Sequence, residues 1–161
     1  EAYIKASNND SSDYFGHTIE LDGDTLAVGA IYEDSNQTTI TNGTTASSDN
    51  SYGVAGAVYV YKRTGTSWAQ EAYIKASNNN PTDYYGQGLA LSGDTLAVGA
   101  GSEDSNQTTI TNDNSTASSD ISLTPFRKSA SETCFRIRST MRTISSSLGR
   151  WRTPRAHASD S

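Results

Sequence analysis

The alternation of apolar and polar residues along the chain predicts β-strands. In the run HTIELDGDTLAVGA, Ile19 and Leu21 would share one face of a first strand, with polar residues on the other face. Asp22 and Gly23 then mark a tight hairpin turn, because glycine tolerates the positive φ that such a turn requires. The apolar residues 26–28 follow at once and predict a second strand, antiparallel to the first.

Two more strands are predicted further along the chain. The run AGAVYVYKR at 55–63 alternates valine with tyrosine, and the run WAQEAYIKAS at 68–77 follows the turn sequence RTGTS. One face of the third strand would carry the valines and the other the tyrosines (Val58 and Val60; Tyr59 and Tyr61). We therefore expect four antiparallel strands in one small twisted sheet, since residues 1–120 show no helical periodicity.

The interval between the second and third strands, residues 35–51, reads SNQTTITNGTTASSDNS and has no aromatic residue. Such a stretch can bury little surface, so we predict a long surface loop. Two interpretations stay open for this segment. It is either a solvated excursion or a loop on one rim that contacts a ligand.

A long internal repeat organises the sequence. Residues 1–42 and 71–112 are identical at 31 of 42 positions, and both copies begin with EAYIKASNN. The match ends after Asp120. We therefore divide the chain into a first repeat, a second and truncated repeat, and a non-repeat tail (1–70, 71–120 and 121–161). A repeat of this length is typical of solenoids, propellers and arrays.

The repeated motifs resemble the FG-GAP repeat, the blade unit of β-propellers such as the integrin α-chain head and many bacterial surface proteins. The matching pairs are Phe15-Gly16 and Gly29-Ala30 in the first copy, and Tyr85-Gly86 and Gly99-Ala100 in the second. GAVYVY at 56–61 is similar to the strand that often follows. The chain departs from the pattern at the proline of GAP, which is Ile31 in one copy and Gly101 in the other.

The resemblance implies an all-β fold of antiparallel four-stranded propeller blades, about one complete and one truncated, in an open fragment of a β-propeller. A single blade leaves both faces exposed until neighbouring blades cover them. We therefore interpret the chain as a segment of a longer protein whose further blades are its partners. An isolated chain would expose apolar faces and unpaired sheet edges.

Charge divides the chain at the same boundary as the repeat. Residues 1–120 hold sixteen acidic and four basic side chains, whereas the irregular tail 121–161 holds two acidic and eight basic ones. The acidic part disfavours nucleic acid and anionic membranes as partners, and no run is apolar enough for membrane insertion. For the Arg/Ser-rich tail we expect disorder or a shifted reading frame. A third interpretation is nucleic-acid binding through arginine and aromatic residues (Phe126, Phe135, Trp151).

Two acidic groups are candidates for calcium, which prefers six to eight oxygen ligands. The resemblance implies a D-x-D-x-D-G loop between FG and GAP, but here a tight turn holds only Glu20, Asp22 and Asp24. The second copy keeps only Asp94. The other group occurs in both copies (Glu33, Asp34 and Asn36; Glu103, Asp104 and Asn106). Solvated turns explain both groups, so we assign no metal ligand and no cofactor and retain calcium as the ion to test.

Signals for catalysis are weak. His17 is replaced by Gln87 in the second copy, and Cys134 and His157, one nucleophile and one base, lie in the tail without a supporting motif. The single cysteine also excludes a disulfide within the chain. We predict no catalytic residue. Five N-x-S/T sequons occur in a chain rich in these residues and are uninformative (Asn9, Asn36, Asn42, Asn106, Asn114).

These observations favour a non-catalytic extracellular or cell-surface segment for adhesion or ligand binding, with a protein or carbohydrate ligand at a surface loop. One alternative is an accessory propeller of a secreted hydrolase or lyase whose catalytic residues lie outside this chain. The other is a purely structural repeat spacer. Fold analogy alone does not choose among these functions.

Overall fold

The computed structural model describes residues 1–107 and the backbone of residues 133–138. The strands are β1 Phe15–Asp22, β2 Thr25–Ala30, β3 Ile40–Asn42, β4 Ala57–Thr64, β5 Ser67–Ile74, β6 Tyr85–Ser92, β7 Thr95–Ala100 and β8 Thr133–Arg138. All pairings are antiparallel, and the described residues contain no helix. Accordingly, no helix in these ranges has the length and apolarity of a membrane span. The prediction of an all-β antiparallel fold is confirmed.

The first sheet contains the four predicted strands in the order β1-β2-β4-β5, with β3 added beside β5. We call it the first blade. The β1–β2 hairpin turns through Gly23 at φ +56°, and the pairing register shifts near the start of β1, where Gly16 has φ +92°. Glycine occupies this left-handed region without the strain that a side chain would introduce. The turn residues read from the sequence therefore fix the register of the sheet.

The second sheet, the second blade, repeats the first hairpin and has the order β6-β7-β8. Leu89 lies opposite Val98 in the same register that places Ile19 opposite Val28. β8 pairs with β7 in the position that β4 has beside β2 in the first blade. β8 comes from the tail; the remainder of the tail, with the predictions made for it, lies outside the described residues.

The prediction of one continuous loop at 35–51 is corrected by β3. Ile40–Asn42 pair with the edge of β5, because a strand edge offers unpaired backbone groups even to a short polar segment. Around it the segment is irregular but anchored. The Gln70 Nε2 group donates hydrogen bonds to the carbonyls of Gly43 and Thr45, at 3.2 and 3.3 Å.

The two blades pack face to face and share one core. We call the face of the first blade that carries Val28 its front face, and the face that carries Ala27 its back face; Val98 marks the front face of the second blade. The back face of the first blade contacts the front face of the second. The shared core comprises Ala27, Val58, Val60, Ala72, Ile74, Ala76, Tyr85, Leu96, Val98 and Ala100, with Leu89 and Leu91 packed against it. Hydrogen bonds join the blades as well. The Thr18 Oγ1 hydroxyl donates to the Gly86 carbonyl at 2.6 Å, and the Tyr85 amide donates to the Ala55 carbonyl at 2.9 Å. Burial of this apolar area is the main term that stabilises the pair.

The front face of the first blade carries a second core, which includes Val28, Tyr59, Tyr61 and Tyr73. Residues 1–9 run across this face, and Ala6 packs against it with Ile4. The register places two further residues of β1 on the same side, but they stay exposed (Ile19 and Leu21). This face is therefore only partly covered.

Candidate functional site

Both blades gather their longest loops at one edge, which we call the loop rim. There β1 begins, β2 ends, β4 begins and β5 ends, as the pairs Phe15↔Ala30, Ala30↔Ala57 and Val58↔Ile74 show. The rim comprises the segments 7–14, 31–56, 75–84 and 101–107. It holds half of the acidic side chains singled out in the sequence (Glu33, Asp34, Glu103 and Asp104), whereas the opposite edge consists of short hairpins.

Glu33 is the centre of a buried polar network at the rim. Its Oε2 atom lies 2.7 Å from the Lys75 ammonium, and both side chains are almost wholly buried. The Tyr73 hydroxyl and Asn8 Nδ2 donate to Oε1 at 2.7 and 3.0 Å, and the Ser35 amide donates to Oε2 at 3.2 Å. The cation bound at the group of Glu33, Asp34 and Asn36 is thus the ammonium of Lys75, the residue that follows β5.

Burial governs the protonation chemistry of this network. Burial lowers the pKa of Lys75, and the Glu33 carboxylate opposes that effect. Burial and the same carboxylate raise the pKa of the Tyr73 hydroxyl well above its ordinary value. The network therefore holds the rim together: a neutral tyrosine and a lysine donate hydrogen bonds to one carboxylate.

Asp34 and Asn36, the other members of the Glu33 group, contact different partners. The amide of Val54 donates to Asp34 Oδ1 at 2.7 Å, and Asn36 is exposed, with its amide on Asp49 Oδ1 at 3.1 Å. Among the residues that the structure describes, no three His, Cys, Asp or Glu side chains group closely enough to hold a metal ion. The structure does not bring this group together around an ion.

The hairpin acids are also separated by their partners. Asp24 forms an ion pair with Arg63 at 2.7 Å, and Asp22 Oδ2 accepts a hydrogen bond from the Gly93 amide at 2.6 Å. Asp22 thus connects the hairpin tips of the two blades. His17 is exposed, and Cys134 lies on β8, while His157 is outside the described residues.

In the second copy, Glu103 and Asp104 lie near Asp83, whose side chain is almost wholly buried. Asp83 Oδ2 accepts the Asn80 amide at 2.9 Å, whereas Oδ1 has no hydrogen-bond partner among the described residues. The pKa of Asp83 is raised to about 6, mainly by burial and also by the neighbouring Glu103 and Asp104 carboxylates, against the opposing Asn80 hydrogen bond.

Asp83 is expected to make the protein more stable as the pH falls from 7.5 to 4.5. Its pKa is about 6 in the folded protein and 3.8 as a free side chain, so the folded state binds the extra proton in this range. Asp83→Asn should reduce the gain by roughly 1 kcal/mol, allowing for solvent screening. Urea denaturation of both proteins at the two pH values measures the gain in stability of each. The same gain in the parent and in Asp83→Asn would contradict the assignment.

An aromatic row, which the sequence did not indicate, crosses the rim from one blade to the other. The ring centroid of Tyr32 lies 4.5 Å from that of Tyr14 and 5.7 Å from that of Tyr84. Tyr14 is 57% exposed. Tyr14 and Tyr84 both have positive φ, 55° and 56°, a strained conformation that is often found at functional sites. Their common position before the FG element was the one available signal.

The segment 35–51 presents polar groups at the same rim. Asp49 Oδ1 accepts hydrogen bonds from the amides of Asn36 and Ser51, both at 3.1 Å, so the segment has a defined conformation. Thr38, Thr39 and Ile40 are exposed at its tip. Four of the five sequon asparagines are exposed, and the fifth lies outside the described residues (Asn9, Asn36, Asn42, Asn106; Asn114).

The comparisons with known proteins agree with the blade architecture. A protein-family model described as the FG-GAP repeat matches residues 1–61 and 68–115, which is more than half of the chain. The matched stretches include residues of both copies of the repeat and of every strand from β1 to β7. No curated protein and no solved structure matches the chain.

Proposed function

Because this chain belongs to the FG-GAP repeat family, generally a non-catalytic unit of β-propeller-like domains, we propose that it is a ligand-binding segment of an extracellular or cell-surface propeller. The ligand binds at the loop rim, and the role is adhesion or recognition. Carbohydrate is the favoured ligand; an extended protein segment is the alternative.

The aromatic row carries this proposal. Tyrosine rings present apolar faces on which the C–H face of a sugar ring can pack, and each hydroxyl keeps one end polar. The row has three adjacent rings and spans both blades (Tyr14, Tyr32, Tyr84). The backbone strain at Tyr14 and Tyr84 is consistent with a surface that is held in position for binding.

Other groups of the loop rim support a neutral polar ligand. Hydroxyl and amide side chains on the 35–51 segment can donate and accept hydrogen bonds, as the hydroxyl groups of a carbohydrate require. One buried charge of the rim is already paired, that of Glu33 with Lys75. A ligand at this rim would thus gain most from stacking and neutral hydrogen bonds.

A glycan array probed with the full chain tests the proposal, followed by titration calorimetry with the best ligand. Tyr14→Ala and Tyr84→Ala should each weaken binding by roughly tenfold, because a stacking surface is lost. Tyr14→Phe and Tyr84→Phe keep the rings and should stay within about threefold of the parent chain. Thr66→Ala, an exposed residue of the β4–β5 turn at the edge opposite the rim, is a further control.

Two outcomes would contradict the proposal. One is the absence of binding to every glycan and to immobilised extracellular proteins. The other is binding that the alanine and phenylalanine variants of the row reduce equally or not at all. Binding to immobilised protein alone, with the same pattern among the variants, would replace carbohydrate by the protein alternative.

A further inference from the structure

One phrase, EAYIKASNN, occurs in two environments. At 71–79 it closes the first blade: Tyr73 and Lys75 are buried and both contact Glu33. At 1–9 the same residues are at the surface, where Tyr3 is 87% exposed and Lys5 is also exposed. Identical side chains with such different burial indicate that the first copy offers a contact that the second copy already makes.

The front face of the first blade is exposed in the same way. Leu89 and Leu91 of the second blade pack into the core between the blades, whereas the equivalent Ile19 and Leu21 are 60% and 61% exposed. The front face also carries a groove of about 370 Å³ whose lining includes Tyr3, Lys5, Tyr61 and Trp68. An apolar face with this composition fits the back face of another blade.

The back face of the second blade supplies the complementary surface. Ala97 and Gly99 occupy the positions that Ala27 and Gly29 occupy in the first blade, where those residues meet the neighbouring sheet. In the described part of the chain β8 is the last strand of its sheet, whereas its counterpart β4 pairs with β5 on that edge. The position beside β8 is the one that β5 occupies beside β4 in the first blade.

We propose that the chain associates head to tail with a second copy of itself, through the same interface that joins its own two blades. The front face of the first blade of one copy packs on the back face of the second blade of the other. Residues 1–5 then add beside β8 as the fourth strand, as residues 71–75 complete the first blade.

The rim supports this register. Asn78 Nδ2 donates a hydrogen bond to Glu103 Oε1 at 2.9 Å, and the Ser105 amide donates to the same oxygen at 3.1 Å. These contacts repeat those that Asn8 and Ser35 make with Glu33. Docking as proposed places Tyr3 and Lys5 of one copy at Glu103 of the other. The buried carboxylate of Asp83 lies beside that position and gains a cation nearby.

Residues 1–107 of one chain cannot make this contact with themselves. Residues 1–9 lie on the front face of the first blade, and the second blade lies on its back face, so the first sheet separates the two surfaces within one chain. Such an interface is heterologous and produces either rings or open chains. With two blades from each copy, propellers of roughly four to eight blades correspond to two to four copies. This inference does not depend on the proposed ligand.

Sedimentation velocity of the full chain over a range of concentrations tests the association. The parent chain should form discrete oligomers. Leu21→Asp blocks the front face and Ala97→Asp the back face, and each should weaken association at least roughly tenfold because a charge enters an apolar contact. Ile40→Asp, which is exposed on β3, should associate like the parent chain. Circular dichroism confirms that each variant folds.

Mixing the two blocked variants gives the decisive result. Each keeps one intact face, so a mixture of Leu21→Asp and Ala97→Asp chains should form heterodimers and nothing larger. A monomeric parent chain, amorphous aggregation, or association unaffected by Leu21→Asp would each overturn the proposal. Leu21 is already exposed, so this variant keeps the test valid even if Ala97→Asp fails to fold.

Discussion

Replacing Gly56 by alanine is expected to lower the free energy of unfolding by at least about 3 kcal/mol. Gly56 has φ +85°, and a Cβ atom there would meet the backbone of Tyr85 in the second blade, including its nitrogen at 2.6 Å. Backbone atoms cannot move aside as a flexible side chain can. The substitution therefore forces the two blades apart and also strains its own residue.

Gly43→Ala is the matched control for this prediction. Gly43 has φ +90°, but nothing lies within 4 Å of the position of its Cβ. It should show the conformational strain alone, about 1 kcal/mol. Urea denaturation followed by circular dichroism gives both values. Equal losses for Gly43→Ala and Gly56→Ala would mean that the close approach between blades contributes nothing to stability.

Lys75→Met is expected to destabilise the protein by roughly 3–5 kcal/mol, because it leaves the buried Glu33 carboxylate without its cation. The side chains of both residues are at most 1% exposed and their charged atoms are 2.7 Å apart. Adding Glu33→Gln removes the unpaired charge, so the double variant should recover part of the loss. Thermal and urea denaturation measure all three proteins.

The repeat provides an internal control for the same chemistry. Lys5→Met changes the same residue of the same phrase, but Lys5 is exposed. Measured at a concentration where the chain is monomeric, this variant should differ from the parent by less than about 0.5 kcal/mol. A loss as large as that of Lys75→Met would show that burial at the rim is not the cause.

Local pattern predicted the strands well. Alternation of valine and tyrosine gave β4, and Asp22-Gly23 gave the first hairpin, because both signals act over a few residues. β3 was missed because three residues within a polar segment carry no period; the free edge of β5 determines that strand. The strand pairings therefore follow from local sequence except where a neighbouring edge supplies the partner.

The candidate site was predicted much less well. Glu33 was singled out as a metal candidate, but its cation is Lys75, 42 residues further along the chain, and no short motif records that pairing. The aromatic row has the same character, since Tyr84 of the second repeat meets Tyr32 of the first only when the blades pack. Sites formed between repeats depend on packing, which periodicity within one repeat does not encode.

The central claim is that the two blades are separate sheets packed face to face. Nuclear Overhauser spectroscopy tests it directly, because a Cβ at Gly86 would meet Val58 Cγ2 at 3.0 Å and Gly29 Cα at 3.5 Å. We predict strong cross-peaks from the Gly86 α-protons to the Val58 methyl groups and to Gly29. Their absence, while cross-strand peaks between Val28 and Tyr59 persist within the first sheet, would contradict the account.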